Sequence, residues 1–132
     1  MSQLHHIALG ACDVRRVAAF YREAFSLVEL DRHLDEKGDL RSIWLEIDSA
    51  ILMIEKTTDK PRPIDGVGAG PFLLAFSVDT DKKSALEARL NSLGAPIEDR
   101  SDFSSYTRDP EGNRVAISHY PTVDSCSTSE PQ

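Results

Sequence analysis

Two spacings of apolar residues alternate along this chain, and they come in the same order in both halves. From Leu4 to Gly10 the period is two, with Ile7 and Leu9 on one side and His6 and Ala8 on the other, as in a strand. Val14, Val17, Ala18, Tyr21, Ala24 and Phe25 then recur at helical spacing. Asp13 stands where an N-cap belongs. Period two returns over residues 27–34, 40–47 and 50–55, with turn residues at 36–39 and 48–49. In the middle one of these strands Ile43, Leu45 and Ile47 alternate with Ser42, Trp44 and Glu46. Residues 57–70 hold two prolines and three glycines and read as a linker.

The second half repeats the order. Residues 72–78 predict a strand, and Thr80 or Asp81 caps a helix that runs to about Leu93 and ends at Gly94. Short strands are expected near 97–103 and 104–108. Asp109-Pro110-Glu111-Gly112-Asn113 is a tight turn in which Gly112 or Asn113 takes positive φ. The last strand is expected over 114–120, and 121–132 carries no periodicity and reads as a disordered tail. A repeat of strand, helix and three strands predicts an α+β fold of two βαβββ modules that face each other around a cleft. Module one covers 3–56, the linker 57–70 and module two 71–120, within one domain spanning 1–120.

Composition narrows the function classes. A chain of 132 residues is long enough for one domain with a real core, and 40% apolar content is ordinary for a soluble protein. The net charge of −7, from 22 acidic against 15 basic residues, argues against nucleic acid as a partner. No apolar run is long enough to span a bilayer, and no signal peptide is expected at the N-terminus. Two cysteines, Cys12 after the first strand and Cys126 in the polar tail, make no disulfide framework, so the cytoplasm is the expected compartment.

The βαβββ repeat, the His6-Ile7-Ala8-Leu9 strand and the Asp109-Pro110-Glu111-Gly112-Asn113 turn resemble the vicinal oxygen chelate superfamily. That group includes glyoxalase I, extradiol dioxygenases, fosfomycin-modifying enzymes and bleomycin-binding proteins. The resemblance covers about residues 3–120. It implies an open, curled sheet around a cleft, a homodimer, and a divalent metal such as zinc, nickel, manganese or iron held from both modules. By the same resemblance the four ligand positions are His6, Glu55 at the end of the fourth strand, Leu73 and Ala116. Leu73 and Ala116 cannot coordinate. One imidazole and one carboxylate are fewer protein ligands than a catalytic zinc or iron site uses.

These positions leave two functional expectations. The first is a metal-independent binder of a small, partly aromatic or cationic molecule. The second is a metal-dependent lyase, isomerase or dioxygenase using His6, Glu55 and either His119, turned inward by a bulge, or a ligand from a partner chain. His6 is open to three roles: vestigial ligand, general base near neutral pH, or a hydrogen-bonded cleft residue. Glu55, if it faces the cleft without a metal, needs a partner, and His6 is the expected one. Trp44, Met53, Leu73, Tyr106, Ala116 and Ser118 are the expected cleft lining, and Arg108 is either an anion contact or the partner of a nearby carboxylate. A third expectation is a cleft filled by the protein's own side chains.

Overall fold

The structure is a computed structural model, described for residues 1–122. Cys126 and the expected tail from residue 123 onward lie outside the described residues. The chain divides into two compact units, the first ending at Arg62 and the second beginning at Pro63. Each is one βαβββ module.

In the first unit, β1 (His6–Ala11) is followed by α1 (Val14–Phe25), β2 (Glu29–Leu34), β3 (Leu40–Ile47) and β4 (Ala50–Lys56). The sheet order is β1-β4-β3-β2, with β1 parallel to β4 and the other pairs antiparallel. Asp13 caps α1 by accepting a hydrogen bond from the Arg16 amide at 3.1 Å, and Ser26 ends the helix in the left-handed conformation (φ 57). Val17, Ala18, Tyr21 and Ala24 of α1 are sealed from solvent together with Ile43, Leu45, Leu52 and Ile54 of β3 and β4. One face of the sheet is therefore spent on the helix.

The second unit repeats the plan with β5 (Leu74–Ser77), a 3-10 turn (Thr80–Lys82), α2 (Lys83–Ser92), β6 (Asp99–Arg100), β7 (Ser104–Arg108) and β8 (Arg114–Ser118). The order β5-β8-β7-β6 again sets the first strand parallel to the last. Two expectations change. No side chain caps α2, because Thr80 and Asp81 are taken into the 3-10 turn. The strand expected near 97–103 shrinks to two residues paired with Tyr106 and Ser105. No helix among the described residues is long and apolar enough to cross a membrane.

Polar bonds fix α2 and its exit loop to the sheet. Glu87 accepts hydrogen bonds from the buried Ser105 hydroxyl and from Arg100, the latter at 2.7 Å, and Thr107 donates to the Ala95 and Pro96 carbonyls. Burial raises the Glu87 pKa, but the bonds from Arg100 and Ser105 and the charges of Arg100 and Lys83 outweigh it. The carboxyl is held below its ordinary value. The β7–β8 turn is tied together by Asp109, whose carboxylate accepts from the amides of Glu111 and Asn113 and from the Asn113 side chain. Gly112 rather than Asn113 supplies the positive φ, at 88°, and an added Cβ would meet Pro63 at 3.0 Å.

Two predictions follow from these contacts. Gly112→Ala lowers stability by roughly 1–2 kcal/mol from backbone strain, and the close approach to Pro63 adds to the loss, read as a lower urea midpoint at unchanged slope. Because Glu87 is more acidic folded than unfolded, its contribution is complete above the ordinary carboxylate range and fades as pH falls through the lowered folded value. Glu87→Gln therefore loses stability at pH 7 and loses less further stability than wild type on acidification. Urea titrations at pH 7 and at low pH check both halves.

Candidate functional site

With one face of each sheet facing its helix, the side chains of opposite parity share the helix-free face. In the first sheet the parallel register pairs His6 with Ile51, Ala8 with Met53 and Gly10 with Glu55. The antiparallel register adds Ser42 beside Glu55, Trp44 beside Met53, and Asp31 and His33 beside Trp44 and Ser42. His6, Met53, Glu55 and Trp44 therefore lie on one face, as the alternation predicts.

His6 and Glu55, however, do not meet. Four positions of strand separate them, roughly 13 Å at the usual strand rise. The Glu55 carboxylate instead accepts from the Trp44 indole N–H at 3.2 Å. His6 is exposed, and its Nδ1 lies 2.9 Å from Nδ1 of His5.

The second sheet presents Tyr106, Arg108, Arg114, Ala116 and Ser118 on its helix-free face, with Ala75 of β5 beside Ala116. Leu73 directly precedes β5, so it stands beside Arg114 in the continued register. His119 lies one residue past β8 with the opposite parity. It is buried against Phe103, and its Nδ1 is 3.3 Å from Nζ of Lys83 on α2. The bulge that would turn it toward Ala116 is not formed.

The two registers match positions of one module to positions of the other. The residue two after His6 pairs with Met53, and the residue two after Leu73 pairs with Ala116. Met53 is thus the structural counterpart of Ala116, whereas Glu55 is the counterpart of Ser118. The four equivalent positions then hold an imidazole, a thioether, a leucine and an alanine. This donor set does not fit zinc, nickel, manganese or iron, which take imidazole and carboxylate ligands together. Among the described residues no three His, Cys, Asp or Glu side chains cluster closely enough to hold a metal ion.

What the helix-free faces do hold is unspent hydrogen-bonding capacity. Among the described residues, three buried side-chain atoms lack a hydrogen-bond partner: Ser42 Oγ, His33 Nε2 and Arg114 Nε. All three belong to helix-free faces. The His33 ring packs against Trp44 at a tilt of 55°, 4.5 Å between ring centroids, and its Nε2 stands 3.5 Å from Asp31. His33, Ser42, Trp44 and Glu55 form one polar and aromatic group. Neither His33 nor Arg114 was singled out from sequence, although Arg114 shares the parity of Ala116 and Ser118. Arg108 is already engaged, its Nε bonding both Glu98 oxygens at 3.1 Å and its Nη1 the Gly112 carbonyl at 3.0 Å. A hollow of about 470 Å³ at the start of α1, lined by Cys12, Asp13, Arg15, Asp39 and Lys56 among others, contains none of the predicted site residues.

The Trp44–Glu55 bond yields a prediction. Glu55→Ala leaves the indole N–H without its acceptor and costs about 1 kcal/mol in urea denaturation, whereas Glu55→Gln keeps an acceptor and loses less.

Comparison with known proteins bears on this geometry. The family model described as the Glyoxalase/Bleomycin resistance protein/Dioxygenase superfamily matches residues 3–117. No curated protein compared with the chain matches it. Among solved structures, lactoylglutathione lyase from Agrobacterium tumefaciens is similar at 26% identity, covering 91% of this chain and 95% of that one, with a TM-score of 0.64. A glyoxalase family protein from Enterococcus faecalis has 26% identity, coverage of 89% and 97%, and a TM-score of 0.71. The genomically encoded fosfomycin resistance protein FosX from Listeria monocytogenes, complexed with Mn(II) and sulfate ion, shares the fold at 19% identity, with coverage of 90% and 93% and a TM-score of 0.74.

Proposed function

The chain belongs to the Glyoxalase/Bleomycin resistance protein/Dioxygenase superfamily, and from that premise we propose that it is a metal-independent binding protein for a small organic molecule. The observation that carries this reading is the donor set. Of the four equivalent positions, His6, Met53, Leu73 and Ala116, only His6 offers a ligand of the kind these metals take. A metal with one strong protein ligand is readily lost to buffer. The same faces nevertheless keep aromatic rings and buried polar atoms without partners. Native structures pair nearly all such atoms, so a group that supplies the missing partners is the simplest account of them.

In this reading the helix-free face of the first module offers flat apolar contact from Trp44 and hydrogen bonds from Glu55 and His33, and the helix-free face of the second offers flat apolar contact from Tyr106. Met53, Leu73 and Ala116 give apolar contact where a metal-dependent relative would have donors. His6 is a contact residue, too far from Glu55 to share a proton with it directly. A homodimer, which the resemblance implies, belongs to the same proposal.

Metal and ligand titrations test it. Chelator-treated protein is expected to show no rise in melting temperature with zinc, nickel, manganese or ferrous iron, and no stoichiometric metal on elemental analysis of untreated protein. Near-stoichiometric metal that disappears in His6→Ala would replace this reading with a metal-dependent lyase, isomerase or dioxygenase. A small-molecule panel is expected to raise the melting temperature of the metal-free protein through mass action. Light scattering at twice the chain mass checks the dimer.

A further inference from the structure

We propose that Arg114 anchors a carboxylate group of the bound molecule, an inference that rests on the small-molecule reading above and specifies the charge of its ligand. Arg114 opens β8 on the helix-free face, and its side chain is only 12% exposed. Its guanidinium carbon lies 5.2 Å from the Phe72 ring centroid and 5.8 Å from that of Tyr106. These rings hold the guanidinium through its π-face attraction, which uses none of its N–H donors. Nε is buried without a partner. The Glu98 oxygen facing Nη1 stands 4.0 Å away, at the outer edge of an ion pair, and that carboxylate already takes the Arg108 Nε at 3.1 Å.

The surroundings favour an anion over a neutral or cationic group. Arg108 and Arg114 are directly opposite each other in the β7–β8 register, so two positive charges share one close carboxylate. The second acid, Asp65, is 95% exposed and reaches only Arg108, at 3.4 Å. Like charges across a strand pair repel, and an incoming anion relieves that repulsion. Ala75, Ala116 and Ser118 are small and lie on the same face next to Tyr106. A planar carboxylate matches the Arg fork, taking one N–H from Nε and one from the adjacent Nη, the arrangement that a lysine cannot reproduce.

The experiment uses full-length, chelator-treated protein with benzoate, benzamide and benzylamine as matched probes. These share a ring and differ in the charge of the head group. Benzoate is expected to bind at least tenfold more tightly than the other two by calorimetry and to shift the Arg114 Nε–H resonance in ¹⁵N spectra. Arg114→Met is expected to lose benzoate binding, and Arg114→Lys, which keeps charge but not the fork, to weaken it several-fold. Circular dichroism confirms folding of both variants, and the Nε–H resonance of the wild type serves if Arg114→Met fails to fold. Benzoate binding unchanged in Arg114→Lys, or no shift of that resonance at millimolar benzoate, overturns the proposal. Preferential binding of benzamide or benzylamine also overturns it while leaving the small-molecule function intact. Stoichiometric metal uptake would instead refute that function, whatever the probes do.

Discussion

In each module the first strand runs parallel to the last, and this pairing governs everything the sheets can present. A parallel partner fixes both register and parity, so one choice of face decides the fate of every side chain on β1 and β4, or on β5 and β8. Packing α1 against Ile43, Leu45, Leu52 and Ile54 commits one parity to the apolar core. The other parity is then released from core packing. It carries histidine, tryptophan, glutamate, serine and arginine within the same few strands.

That division explains why the buried polar atoms without partners fall where they do. On the helix side of the second sheet, Ser105 and Thr107 are buried and fully bonded, to Glu87 and to the Ala95 and Pro96 carbonyls. On the helix-free sides, Ser42, His33 and Arg114 each keep an unpartnered atom. The two hydroxyls facing the helix are thus satisfied, while one hydroxyl, one imidazole nitrogen and one guanidinium nitrogen on the helix-free sides lack a hydrogen bond. An unpaired buried donor or acceptor costs on the order of 1–3 kcal/mol, so the unmet hydrogen-bonding cost is concentrated on one kind of surface.

Much of this was legible in sequence. The doubled order of periods identified both modules, and simple alternation put His6, Trp44 and Met53 on the face where the structure has them. The Asp109-to-Asn113 turn followed from residue chemistry alone, down to a positive φ at one of two positions. Which residue of β4 matches Ala116 was not legible, because a strand end is not a register: only the pairing of Ala8 with Met53 shows it. The shortened β6 and the uncapped α2 lay beyond local propensity, since neighbouring strands and the 3-10 turn decide them. Arg114 was visible by parity but unremarkable until Phe72 and Tyr106, from distant parts of the chain, closed around it. His33 belongs to the strand expected over 27–34, and its significance depends on Trp44 of the neighbouring strand lying against its ring.

Trp44 is the chain's one tryptophan. It is bonded through its indole N–H to Glu55 and packed at a tilt against His33, on the face free of the helix. Indole emission responds to hydrogen bonding at that nitrogen and to polar groups over the ring. The fold therefore contains its own optical sensor, confined to the first module and free of background from any second indole. Events on the Glu55 side of that sheet register directly in its ultraviolet fluorescence, without an attached dye.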